Sequence, residues 1–243
     1  MTDPSDPPPT APPHVTYPET LLPEHRQLLI DSAISPAVAR GRGYYSVTTK
    51  SGLEVLGFSE RQRRPPAMVI PLWSAATGKE SSVQIRPQEP RYDPVRGREI
   101  KYEFRRGDLL LVDVHPLIRD DARDPQVPLF LCEGIRKADS AVSRGLCSVA
   151  LLGIWNYRGR NARGGKTVLS DFEFLALNQR DVYVVYDSDC VVNPAVHQAL
   201  VRLGGVLERF GALTRYIHLP TGDGGVKTGL DDFFARYERT WTP

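Results

Sequence analysis

Two short apolar runs, each ending in acids, restrict the possible folds of this chain more than any other stretch. Val127-Pro128-Leu129-Phe130-Leu131-Cys132 stops at Glu133-Gly134, and Val182-Tyr183-Val184-Val185-Tyr186 stops at Asp187-Ser188-Asp189. Apolar or β-branched runs of this length that break on polar groups and glycine predict buried strands. Each places its carboxylates just past its C-terminal end, the rim where open α/β sheets bind ligands. Three carboxylates gathered there repel one another unless a cation lies between them. Hard oxygen donors suit Mg2+ or Mn2+, so the pattern predicts a metal site for phosphate chemistry.

The segment between and after these runs alternates strand with helix. A helix is expected over Ile135–Arg144, stopped by Gly145, then a strand over Cys147–Leu152 and a Gly/Arg-rich loop from Gly153 to Lys166. Ser170-Asp171-Phe172-Glu173 has the form of a capping box and predicts a further helix start. After the strand Asp181–Tyr186, Asn193-Pro194 opens a long helix that runs to Phe210, with Gly211 as its stop. A strand over Thr214–Leu219, a loop from Thr221 to Thr228 and a last helix near Leu230-Asp231-Asp232 complete the pattern. Repeated βα units with right-handed crossovers make a parallel sheet covered by helices.

The first half reads differently. Residues 1–20 form a Pro-rich tail, expected to be disordered. Pro23–Arg40 carries helical spacing, with Gly41 and Gly43 as stops. Tyr45–Thr48, Met68–Leu72, Ser82–Ile85 and Leu109–Val112 predict short strands separated by Gly and Pro turns. Net charge over the whole chain is only +2, yet Arg40 to Arg106 holds 14 Lys and Arg against 7 Asp and Glu. Arg61, Arg63, Arg64, Arg86, Arg91, Lys101 and Tyr102 interleave charge with rings on this β-rich stretch. That is what a single-stranded nucleic-acid track requires: cations for phosphates and rings for bases. The loop bearing Arg158, Arg160 and Arg163 can extend the track or simply be mobile. Trp155 is expected to pack rather than to stack on a base.

Cys132, Cys147 and Cys190 lack zinc-site spacing and make a poor disulfide framework, so a reducing cytoplasm is the expected setting. His14, His25, His115, His197 and His218 form no ligand pattern. No apolar stretch reaches membrane-spanning length, and the N-terminus has no apolar signal core; no membrane association is expected.

Glu133-Gly134 and Asp187-Ser188-Asp189, each after an apolar strand and 54 positions apart, resemble the signature of the TOPRIM domain. Bacterial-type primases, type IA and II topoisomerases and some nucleases share that domain. The phrases Glu133 to Asp139, Ala150 to Trp155, Val185 to Asp189 and Lys227 to Phe233 are similar to TOPRIM-like domains (DUF3854 type) of plasmid, phage and integrative-element primases. The resemblance implies an α/β fold: a Rossmann-like parallel sheet with flanking helices over residues 121–243, preceded by a smaller basic β-rich α+β subdomain over residues 21–120. Two departures stand out. Lys137 occupies a place where many TOPRIM domains carry an acid, and Cys190-Val191-Val192-Asn193 follows the acidic pair in place of a nearby glycine.

What the resemblance implies for function is primer synthesis on single-stranded DNA by two-metal nucleotidyl transfer. Asp187 and Asp189 would hold Mg2+ or Mn2+, with Asp231 or Asp232 completing a second site; as plain helix-start acids those two also have a capping explanation. Glu133 is either a metal ligand or the base for the 3′-hydroxyl. Lys137, Lys227, Arg86 and Lys101 would neutralise the phosphates of nucleoside triphosphates. Neither a zinc-ribbon module nor a Walker A motif is present, so a replicative helicase in trans is the expected partner. A metal-dependent DNA nuclease and a non-catalytic single-stranded DNA-binding module are the rival readings.

Overall fold

The computed structural model describes residues 15–95, 97–160, 164–190 and 192–237. Most of the Pro-rich tail and Arg163 lie outside them, and for Arg160 only the backbone is described. Helices α1 (Pro23–Asp31) and α2 (Pro36–Arg42) lead into an antiparallel sheet of β1 (Tyr45–Val47), β2 (Ala67–Trp73), β3 (Glu80–Pro87) and β6 (Glu103–Phe104), in the order β1-β2-β3-β6. Between them lie the short helix α3 (Lys50–Val55), which no sequence pattern marks, and the hairpin β4 (Arg91–Asp93) with β5 (Arg98–Ile100). Pro71 lies inside β2, where a proline removes a ladder hydrogen bond. It is tolerated because β1 pairs with β2 only as far as Val69. Beyond that point the Pro71 carbonyl accepts from the Arg42 guanidinium at 3.0 Å instead.

The second sheet has the order β13-β12-β8-β9-β7. Strands β8 (Leu129–Glu133), β9 (Ser148–Leu151), β12 (Asp181–Tyr186) and β13 (Leu213–His218) are parallel, and β7 (Val112–Val114) closes one edge antiparallel to β9. Helix α4 (Ile135–Val142) crosses from β8 to β9, and α5 (Pro194–Arg209) from β12 to β13. Asn193 caps α5 by accepting from the Ala195 amide, with Pro194 in its first turn as expected. Buried Val196, Ala199, Leu200, Leu203 and Leu207 form the stripe that α5 turns to the core. Helix α6 (Leu230–Tyr237) follows β13.

Two local expectations change. Ser170–Phe174 is a single 3-10 turn without a side-chain cap, not a helix. The crossover from β9 to β12 instead carries a hairpin, β10 (Arg158–Arg160) with β11 (Lys166–Val168). The expected strand Leu109–Val112 begins only at Val112; within it Asp113 pairs with Ser74 and joins the two sheets.

A buried ion cluster fastens that junction. Arg42 reaches Asp139 of α4 through Nε at 2.6 Å and Nη2 at 2.6 Å, and Asp113 of β7 through Nη2 at 2.8 Å. The Tyr44 hydroxyl donates to Asp139 at 2.7 Å, and the Trp73 amide to Asp113 at 2.8 Å. Both ion pairs have no exposed side-chain surface. Buried charges at this depth persist only when paired and hydrogen-bonded. Asp139, part of the phrase that suggested catalysis, is thus structural. Among the described residues no helix is long and apolar enough to cross a membrane.

Candidate active site

Chain order places a switch point between β8 and β12, since the connection from β8 runs to β9 on one side and β12 lies on the other. Ligands of open α/β sheets bind at such a point, beyond the carboxyl ends. Val185 lies opposite Cys132, so Glu133 and Asp187 leave adjacent strands at one rim. Gly134, with φ of 96°, makes the sharp turn from β8 into α4 that a side chain would strain. The first turn of α4 carries Arg136 and Lys137, while Ile135, Ala138 and Ala141 are buried.

The carboxylates do have cations between them, and the chain supplies its own. Lys137 Nζ pairs with Asp187 Oδ1. Lys227 Nζ lies 3.0 Å from Asp187 Oδ2 and 3.0 Å from Asp189 Oδ2, bridging the two acids. The loop carrying Lys227 is held over the rim by reciprocal bonds. The Ser188 amide donates to the Thr228 carbonyl at 3.0 Å, and the Thr228 amide to the Ser188 hydroxyl at 2.9 Å. Asp231 is buried and faces Arg136 at 3.4 Å. Asp232 Oδ2 accepts from the Gly229 amide at 2.8 Å and caps α6. Asp189 Oδ1 is buried with no hydrogen-bond partner.

Burial sets the protonation behaviour. It pushes the Glu133 carboxyl above its usual range, with Lys137 opposing and Asp187 reinforcing the shift. Asp231 is raised by burial although Arg136 and Lys137 pull it down. For Lys137, burial favours the neutral amine, but Asp187 and Glu133 outweigh it and hold the ammonium. Lys227 behaves likewise, through Asp187 and Asp189.

A cleft of about 1030 Å3 opens in front of this rim, lined by Glu133, Arg136, Lys137, Lys227 and Asp231 on one side. Lys101 and Tyr102, Gln84 and Phe104 come from the antiparallel sheet and its loops, and Trp155 from the loop after β9. Arg86 stacks on the Tyr102 ring at 5.2 Å and so stands behind that wall. Arg158 lies beyond Trp155, over its ring at 4.6 Å, in a second cleft of about 830 Å3. Arg63 is tied to Glu54 at 2.7 Å, and Arg91 to the buried Glu103 at 2.9 Å. Neither these nor Arg61 and Arg64 line the main cleft.

Sequence reasoning missed Arg136 and Gly229. Arg136 joins three elements: it pairs with Asp231, donates to Ser32 at 2.9 Å and bonds Tyr102. Its only sequence signal was its place beside Lys137. A Cβ on Gly229 would come within 2.7 Å of Asp231 Oδ1 and 2.8 Å of Lys137 Cε; the gap in the phrase Lys227 to Phe233 is thus a packing requirement.

Asp187 and Asp189 are the rim acids whose oxygens could be offered to a divalent ion. Asp189 has an unpartnered oxygen, and the Lys227 that covers Asp187 Oδ2 is half exposed. Among the described residues no three His, Cys, Asp or Glu side chains already converge as a ligand group. The sequence had anticipated three carboxylates facing one metal; ammonium groups intervene.

Residues 121–240 match the family described as Domain of unknown function (DUF3854). This part of the chain is a DUF3854 domain. An uncharacterised protein of Picosynechococcus sp. is 31% identical over 97 residues, which is 36% of this chain and 10% of that protein. The chain therefore spans about a tenth of the length of the curated relative it matches. The structure of the zinc-binding and RNA polymerase domains of Aquifex aeolicus primase aligns with a TM-score of 0.56 and 17% identity, over 89% of this chain and 53% of that one. The RNA polymerase domain of Mycobacterium tuberculosis primase DnaG aligns with a TM-score of 0.56 and 15% identity, over 86% of this chain and 70% of that one. At these identities the likeness is one of fold. It extends beyond the DUF3854 domain to the antiparallel sheet in front of it.

Proposed function

We propose that this chain is the nucleotidyl-transferring core of a primase, which builds primers on single-stranded DNA from nucleoside triphosphates. The observation that carries the reading is the meeting of Lys137 and Lys227 with Asp187 and Asp189 at the switch point, where Glu133 and both lysines face a basic, ring-bearing wall across one cleft. Asp187 and Asp189 are the residues that would hold Mg2+ or Mn2+. When bound, the ion supplies charge neutralisation for the triphosphate and the leaving pyrophosphate.

The protein's own groups do the rest. Glu133, half-buried at the cleft and with a raised proton affinity, suits the removal of the 3′-hydroxyl proton. Lys227, released from the acids, neutralises phosphate, and Lys101 with the Arg86-backed Tyr102 ring receives the template. The Arg158 guanidinium over Trp155 continues the cationic path. We assign the chain to replication of a plasmid- or phage-like element in the cytoplasm, working with a helicase; the buried free cysteines suit that compartment.

Template-dependent extension on single-stranded DNA with Mg2+ or Mn2+ tests the reading. Asp187→Asn should lower the rate at least about a hundredfold and Glu133→Gln should abolish turnover while DNA binding persists. Nicking of supercoiled plasmid without nucleotides, in place of extension, would make the chain a nuclease instead.

A further inference from the structure

We propose that this site takes a single divalent cation and that the Lys137 ammonium permanently occupies the place of a second. The proposal rests on the metal-dependent reading above and sharpens it.

The two lysines that meet Asp187 are not equivalent. Lys227 lies on the loop before α6, its side chain 51% exposed, and bridges one oxygen of Asp187 and one of Asp189. A bridging cation on an exposed, flexible stem can leave when a divalent ion arrives. Lys137 takes the other Asp187 oxygen, and its side chain is only 20% exposed. Its stem is walled in by Gly229: even a methyl group there would come within 2.8 Å of Cε. Lys137 also stands in the first turn of α4, where the helix dipole disfavours a cation. Its position is explained by the acids it faces, Asp187 and Glu133.

Charge sets the number of ions. Four carboxylates, Glu133, Asp187, Asp189 and Asp231, face Lys137 and Arg136 once Lys227 has withdrawn. One divalent ion balances the remainder. A second would leave the nucleotide-free site with excess positive charge and would have to displace the Lys137 ammonium from Asp187. Asp189 Oδ1, buried without a partner, is where the single ion has an oxygen waiting.

The test is a Mn2+ titration of the full chain without nucleotide, following the paramagnetic resonance signal of free Mn2+. One ion per wild-type chain, displaced by Mg2+, is expected. Lys227→Met should still bind one, roughly threefold more tightly, since a partly exposed competing pair is lost. Lys137→Asp should bind two, and Lys137→Met, which keeps the stem and adds no acid, should admit a weaker second ion. Circular dichroism identifies which variants fold, and either folded Lys137 variant decides the matter. Two ions on the wild type, none on the wild type, or one ion on the folded Lys137 variants would overturn the proposal. Primer extension measured in parallel separates the two readings. One ion without extension removes the polymerase assignment and leaves this proposal standing; two ions with extension does the reverse.

Discussion

Two acid–cation clusters lie on different sides of helix α4, reached through Lys137 and Asp139. On the Asp139 side Arg42, Asp113 and Asp139 have no exposed side-chain surface and are met by a bidentate guanidinium, the Tyr44 hydroxyl and the Trp73 amide. At the first turn of α4 Lys137 and Lys227 meet Asp187 and Asp189 beside an open cleft, and Asp189 Oδ1 is buried without a hydrogen bond. The planar fork of arginine fixes geometry, whereas an ammonium is a compact charge on a flexible stem. The first cluster holds the two sheets together. The second has the exchangeable cation and spare acceptor that chemistry on phosphates needs.

The largest expected effect comes from treating the clusters alike. Arg42→Met should cost about 3–5 kcal/mol, because it leaves two buried carboxylates without their counter-charge. Lys227→Met, removing a half-exposed partner, should cost no more than about 1 kcal/mol. Urea denaturation of both variants measures the difference. Equal costs would mean that the rim cluster is as structural as the buried one.

These clusters also mark what could be read from the sequence. The strands of the parallel sheet and the acids at their ends were legible because each is a local pattern: an apolar run, then carboxylates and glycine. The start of α5 was legible for the same reason, in Asn193-Pro194. The Arg42–Asp139 pair was not, since its members lie 97 positions apart and nothing local distinguishes either. The same holds for the Arg136–Asp231 pair and for Gly229, whose importance is set largely by Lys137 and Asp187 from other segments. Ser170-Asp171-Phe172-Glu173 misled because a capping box signals a turn start and does not guarantee that a helix continues. At the rim, sequence reasoning required a cation between carboxylates and assumed a metal ion; Lys137 and Lys227, read as phosphate binders, fill that role in the fold.

A smaller effect should follow from Gly229→Ala. The added methyl meets the ends of Lys137 and Asp231, which can yield, so stability should fall by only about 1 kcal/mol. Yielding moves Lys137 away from Asp187, and displacement on this scale costs about a hundredfold in rate at a positioned site. A variant that loses activity and stability in proportion would show that Gly229 serves packing alone. Extension kinetics and a thermal melt on one preparation separate these outcomes.

The smallest effect tests whether the rim is held together at a cost. Burial raises the Asp231 carboxyl in the folded protein, so the native state holds that proton more tightly than the unfolded chain. Above the ordinary carboxylate range the unfolded chain has lost the proton while the native state still binds it, and stability then falls as pH rises towards the folded value. Asp231→Asn carries no such proton. Relative to wild type, the variant should therefore gain stability as pH rises above the ordinary carboxylate range of about 4, followed by urea midpoints without divalent ions. If the variant instead loses ground as pH rises, attraction to Arg136 at 3.4 Å outweighs burial. Asp231 would then belong with the buried cluster, as a fastener, and the functional rim would shrink to Glu133, Asp187 and Asp189.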